Sequence, residues 1–151
     1  MITKLWNRVL GLFLLIPQDL IALMARIGMG TIFLRSGLLK VDGWESGVTL
    51  ALFEQEYKLP LIPPDIAAPL ATASELLFGS LLIIGLATRF GALGILGMTA
   101  VIEIFVYPNA FDTHASWAAC VLYLIRFGAG TFSLDWLISR SFKASKPQMS
   151  S

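Results

Sequence analysis

The chain of 151 residues has one cysteine, one histidine and only 14% charged residues. A lone Cys120 forms no internal disulfide, supplies no CxxC relay and builds no cysteine zinc site. A membrane thiol oxidoreductase working through its own cysteine pair is therefore excluded. A lone His114 offers no haem-ligand pair, and one imidazole among carboxylates is a poor metal constellation, so no metal site is expected. No nucleotide-binding motif is present. Charge of neither sign is in surplus, with 11 basic residues against 10 acidic ones, so nothing points to a nucleic-acid partner. Soluble domains carry about 25% charged residues, well above this chain's share.

What is present is apolar. Hydrophobic residues make up 56% of the chain, and the mean hydropathy is +0.76. A small soluble domain could not cover that much apolar side chain with so little polar surface. The composition excludes a disordered chain and an ordinary soluble enzyme, and indicates an integral membrane protein.

A hydrocarbon core of about 30 Å needs about 20 helical residues. Four stretches qualify, at residues 19–39, 66–86, 90–106 and 115–132, and they predict an all-α, four-helix membrane bundle over residues 18–140. Only Ala87-Thr88-Arg89 separates the second and third, so these two are antiparallel neighbours; Pro108, Asn109 and Asp112 mark the next turn. Lys4, Arg8, Arg89, Arg140, Lys143 and Lys146 fall on one side of such a bundle. Lys40 and Lys58 fall on the other, among Asp42, Glu45, Glu54, Glu56, Asp65 and Asp112. The positive-inside rule then puts both termini in the cytoplasm and the long first loop outside, in a multi-pass protein of a bacterial inner membrane.

Residues 1–17 carry Ile2, Leu5, Trp6, Val9, Leu10, Phe13 and Ile16 at helical spacing. No small-residue cleavage site comes after them, so the segment reads as an amphipathic helix in the cytoplasmic interface. In the outer loop, Leu50, Phe53 and Tyr57 share helical spacing before Pro60, Pro63 and Pro64. Either a short helix capping the bundle mouth or a loop resting on headgroups fits that pattern. The Ser/Lys-rich tail, 141–151, is expected to be disordered. Trp44, Trp117, Tyr57 and Tyr107 are expected near the outer interface, and Trp6 and Trp136 near the inner, as an aromatic belt. Cys120 reads as inert packing.

The informative residues are charges within the spans: Arg26, Arg35, Glu75, Glu103 and Arg126. An arginine at a helix centre costs at least about 2.5–3.5 kcal/mol in lipid, so such groups turn inward or snorkel. Arg26 shares a face with Gly30, Phe33, Gly37 and Lys40, and the glycines suit close helix contact. Arg35 lies on the opposite face and is expected to snorkel or meet a partner. Glu75 shares a face with Ala68, Ala71, Thr72 and Gly79, and Arg126 with Ala119, Tyr123, Ala129 and Gly130. Depth at about 1.5 Å per residue suggests that Glu75 bridges Arg26 and Arg126, while Glu103 lies higher, near Lys40, Tyr107 and His114. Tyr107, Asp112 and His114 are candidates at the outer mouth; His114 is either a helix-start residue or a ligand contact. The network Arg26, Lys40, Glu75, Glu103 and Arg126 is either structural or a polar site for a headgroup, a quinone or a proton path.

The runs RIGMGTIFLRSGLLK (Arg26 to Lys40) and ELLFGSLLIIGLATR (Glu75 to Arg89), about 35 residues apart, resemble the DoxX family of small bacterial membrane proteins. The resemblance implies a four-helix membrane bundle, with Arg26, Lys40, Glu75 and Arg89 matching the family's recurrent polar positions. The stretch from Ile102 to Leu137 is similar to a subgroup associated with peptide-modifying enzymes and with copper or oxidative stress. The family is similar to a membrane subunit of a thiosulfate:quinone oxidoreductase, so the resemblance implies that any electron transfer would need a bound quinone or a partner's cofactor. Three readings are open. The chain is an accessory or anchoring subunit of a membrane redox or stress-response system; or its bundle binds a quinone or lipid-like molecule; or it is a small transporter acting as a homo-oligomer.

Overall fold

The computed structural model describes residues 2–144, and those residues form helices and short connections with no strand among them. The helices are α1 (Ile2–Phe13), α2 (Gln18–Asp42), α3 (Val48–Gln55), α4 (Pro64–Ile84), α5 (Thr88–Val101), α6 (Phe111–Phe127) and α7 (Leu134–Ala144). A π-helical turn, Ile102–Val106, continues α5. Three of these are long and apolar enough to cross a membrane: Gln18–Asp42, Pro64–Ile84 and Thr88–Val106. The stretch expected at 115–132 is instead the 17-residue α6. It ends at Phe127 because Gly128 and Gly130 adopt φ of 82° and 76°, a left-handed backbone that stops a helix. The tail expected from Ser141 starts inside α7; residues 145–151 lie outside the described residues, as do the side chains of Lys4 and Arg8.

Local chemistry sets the helix ends. Pro64 occupies the first turn of α4, where its missing N–H is no loss. Gly85, at φ 69°, closes that helix by donating its N–H to the Leu81 and Leu82 carbonyls. The α4–α5 turn is held from a distance: the Asp135 carboxylate accepts the Ala87 and Thr88 amides at 2.7 and 2.9 Å. A side chain 47 residues away thus caps α5.

Helices α2, α4, α5 and α6 share one core, built on Met29, Phe33, Leu82, Ile95, Val121 and Leu124. Lipid is as apolar as leucine, so close packing has to supply the attraction between these helices. The α2–α4 seam provides it with glycine. A Cβ on Gly79 would lie 2.7 Å from the Leu34 backbone nitrogen, and one on Gly30 2.9 Å from the Gly79 carbonyl oxygen. The inward face of α2 carries Arg26, Gly30, Phe33, Gly37 and Lys40, as the spacing predicts. Outward, Met24, Leu39, Leu70, Leu77, Leu93 and Ile104 are exposed, an apolar surface suited to acyl chains.

The long loop between α2 and α4 takes the helical alternative. Phe53 of α3 is buried against Ala67 and Ala68 of α4, which stabilises the docked helix by about 2 kcal/mol. The Thr49 hydroxyl donates to the Lys40 carbonyl at 2.6 Å, satisfying an end group of α2.

Candidate functional site

Lys40 lies in the last turn of α2 and Glu75 at the middle of α4, with side chains only 7% and 6% exposed. The ammonium donates to both Glu75 oxygens at 2.9 Å and to the Ser36 hydroxyl at 2.8 Å, which uses its three N–H bonds. Ser36 in turn donates to Glu75 Oε1 at 3.1 Å. Gly37 makes the approach possible, because a Cβ there would lie 3.1 Å from the Glu75 Cβ. The Lys40 ammonium also stands 5.8 Å from the Tyr57 ring centre.

A second pair joins α5 to α6. His114 Nδ1 lies 2.5 Å from Glu103 Oε2, with His114 buried and Glu103 partly so. Glu103 sits in the π turn, closed by the Tyr107 N–H on the Ile102 carbonyl at 2.8 Å. One extra residue in a turn rotates the remainder of a helix by about 100°, and such turns recur at functional sites. Trp117 packs on the imidazole at 5.1 Å between ring centres and edge-on to Phe33 at 5.5 Å. It is therefore packed within the bundle. Nearby, the Tyr107 hydroxyl donates to Glu56, and Tyr107 meets Tyr57 edge-on at 5.7 Å. Burial, followed by the hydrogen bonds with Glu56 and Tyr57, pushes the Tyr107 phenol above the ordinary tyrosine range.

Between these groups lies a cavity of about 430 Å³. Lys40, Glu75, His114 and Trp117 line its inner wall, and Tyr57 and Tyr107 line the end beneath α3. Leu70, Leu93 and Val101 also line it, yet they are 56%, 54% and 40% exposed. The mouth therefore opens sideways between α4 and α5, toward the surface that faces acyl chains. Gly97 lines that mouth with nothing within 4 Å of a would-be Cβ.

Other predicted residues lie elsewhere. Glu75 bridges neither arginine. Arg26, 1% exposed, donates to the Leu82 carbonyl at 3.4 Å and to the Phe132 carbonyl. It tethers the chain after α6 to the end of α4, with the Gly85 turn leaving room for its guanidinium. Asp19 secures the same segment through the Thr131 amide and hydroxyl at 3.1 and 2.6 Å. Arg126 is exposed and stacks on Phe127 at 5.5 Å, because α6 turns His114, Val121 and Leu124 inward. Arg35 is exposed on the outer face of α2. Asp112 is exposed in the first turn of α6 and does not line the cavity. Among the described residues, no three His, Cys, Asp or Glu side chains converge on a metal-sized site.

Ser36 is the polar residue of this site that sequence reasoning misses; its place one turn before Lys40 on α2 is the signal that could have found it. Tyr57 and Trp117, expected from the sequence as an aromatic belt, also line the cavity, a role that nothing in the local sequence signals.

The DoxX family model matches residues 21–108. An uncharacterized protein of Haemophilus influenzae is 32% identical over 130 residues, which cover 80% of this chain and 84% of that protein. No solved structure matches. Lys40, Glu75 and Glu103 fall inside the family match, and His114 lies beyond it.

Proposed function

The chain belongs to the DoxX family of membrane proteins, and we propose that its bundle binds a lipid-soluble small molecule, quinone or lipid-like, admitted from the bilayer. The observation that carries this reading is the cavity with a polar inner wall and a lateral apolar mouth between α4 and α5. Ligand sites are concave and mostly apolar, with few placed polar groups, and ionisable residues within a membrane mark such sites. A molecule dissolved in the bilayer reaches this mouth without crossing water.

In this reading α6 is the fourth crossing: 17 residues rise about 26 Å, within reach of a hydrocarbon core. Arg89 and Arg140 mark the cytoplasmic end, and α3 with its acidic neighbours covers the outer end of a bacterial inner-membrane protein. Within a redox or stress-response system the part is accessory: the bundle holds the molecule, and a partner protein carries electrons.

Native mass spectrometry of the protein extracted gently from its own membrane tests the reading. A retained lipid-soluble molecule, absent from Gly97→Phe, supports it, since a benzyl side chain at that position would fill the mouth without touching either charge pair. A bundle that carries only a second protein, or a molecule equally retained by Gly97→Phe, overturns it. Glu75→Gln then reports whether the buried pair contacts the molecule. Cysteine labelling at position 46 in a Cys120→Ala background, accessible from outside the cell, checks the orientation.

A further inference from the structure

We propose that His114, held by Glu103, is the proton-accepting group of the cavity, and that the ligand is a lipid-soluble molecule bearing an acidic hydroxyl on a ring or enol. The inference rests on the cavity reading above and deepens it.

An ionised carboxylate only accepts hydrogen bonds, so in the tautomer that fits a Glu103 carboxylate the 2.5 Å contact is donated by His114 Nδ1. In the neutral ring Nε2 then carries a lone pair. That nitrogen has no hydrogen-bond partner among the described residues. The ring lines the cavity while Glu103 does not, so the imidazole stands between the carboxylate and the cavity. This is the arrangement in which a carboxylate fixes the tautomer and steadies the imidazolium that forms on proton uptake.

The other buried polar groups of the cavity are already committed. Lys40 and Glu75 satisfy each other and Ser36; at the exposed end, the Tyr107 hydroxyl goes to Glu56. Ser74, at the mouth, is only partly buried. The wall therefore presents an acceptor, His114 Nε2, that is reached from the cavity and has no donor among the described residues. Lys40 with Glu75 sums to zero charge, so nothing in the cavity holds a fixed anion. A neutral hydroxyl meets both conditions: its O–H donates to Nε2. Transfer of that proton gives an imidazolium between the ligand oxyanion and the Glu103 carboxylate, with no electron exchanged. The charged groups that line this space are Lys40 from α2 and Glu75 from α4, with the Tyr107 phenol beside them and Glu103 of the π turn behind the imidazole.

His114 is the chain's single histidine, so isotope labelling of histidine reports one imidazole. The protein, carrying a histidine-free tag, is placed in lipid nanodiscs and titrated with 4-nonylphenol or its O-methyl ether, with tryptophan fluorescence reading binding. The expected result is about tenfold tighter binding of the phenol, the worth of one good hydrogen bond to a buried acceptor. The ¹⁵N signal of Nε2 should move with the phenol and stay put with the ether. In His114→Phe the two probes should bind alike, and Glu103→Gln should lose part of the preference. Equal binding of both probes with Nε2 unmoved overturns the proposal and leaves the cavity reading standing. Binding of neither overturns both. The wild-type ¹⁵N experiment decides the matter even where a variant fails to fold.

Discussion

Replacing Lys40 by Met leaves the Glu75 carboxylate, whose side chain is 6% exposed, without its cation. Removing one partner of such a pair costs about 3–5 kcal/mol, whereas exchanging both for apolar groups of similar size is close to neutral. A neutral hydrogen bond between membrane helices is worth only about 0.6 kcal/mol, because the separated helices find other partners. The two magnitudes separate the cases. Lys40→Met and Glu75→Leu should each lower stability by about 3–5 kcal/mol, or roughly 10 °C in Tm for a chain of this length. The double variant should return to within about 1 kcal/mol of wild type, a coupling of at least about 5 kcal/mol. Unfolding by SDS titration and thermal melting in nanodiscs measures all four corners of the cycle. Single variants that lose less than about 1 kcal/mol would refute the premise that the pair is dry. So would a double variant that loses the sum of both.

Gly85→Ala should cost more than the roughly 1–2 kcal/mol of a left-handed φ alone, since at φ 69° its Cβ would also fall 2.6 Å from the Ser133 Cβ and 2.0 Å from Arg26 Nη1; Gly28→Ala, with nothing within 4 Å, should be neutral or gain up to about 1 kcal/mol in the same melts. Asp135→Ala frees the Ala87 and Thr88 amides and should cost about 1–2 kcal/mol, with hydrogen exchange rising at those two residues first. Arg126→Gln should leave stability within about 0.5 kcal/mol of wild type, because the side chain is exposed and stacks only on its neighbour; a large loss would restore it to the buried network.

Most of the bundle is legible along the chain because helical periodicity is a local property. The spacing of Arg26, Gly30, Phe33, Gly37 and Lys40 selects one face of α2 whatever its neighbours are, and that face is the buried one. The same reasoning places Glu75 inward with Thr72 and Gly79 on α4. It fails for Arg126, where an arginine near a helix end has an exit to the interface that one at mid-helix lacks.

Pairing is the part that periodicity does not supply. Depth alone allows Glu75 to meet Arg26 or Arg126. Its actual partner, Lys40, is decided by the tight glycine seam between α2 and α4, while Arg26 goes to the carbonyls of Leu82 and Phe132. Depth along the chain does put Glu103 near His114, and the two meet; that Glu103 does so from a π turn is what no composition or spacing signal announces. So membrane residence, helical class and the inward faces come from composition and period, which each segment carries by itself. The partners of the buried charges, and the sideways mouth of the cavity, come from the relative rotation of packed helices. That rotation depends on every contact along their seams at once, and no single segment contains it.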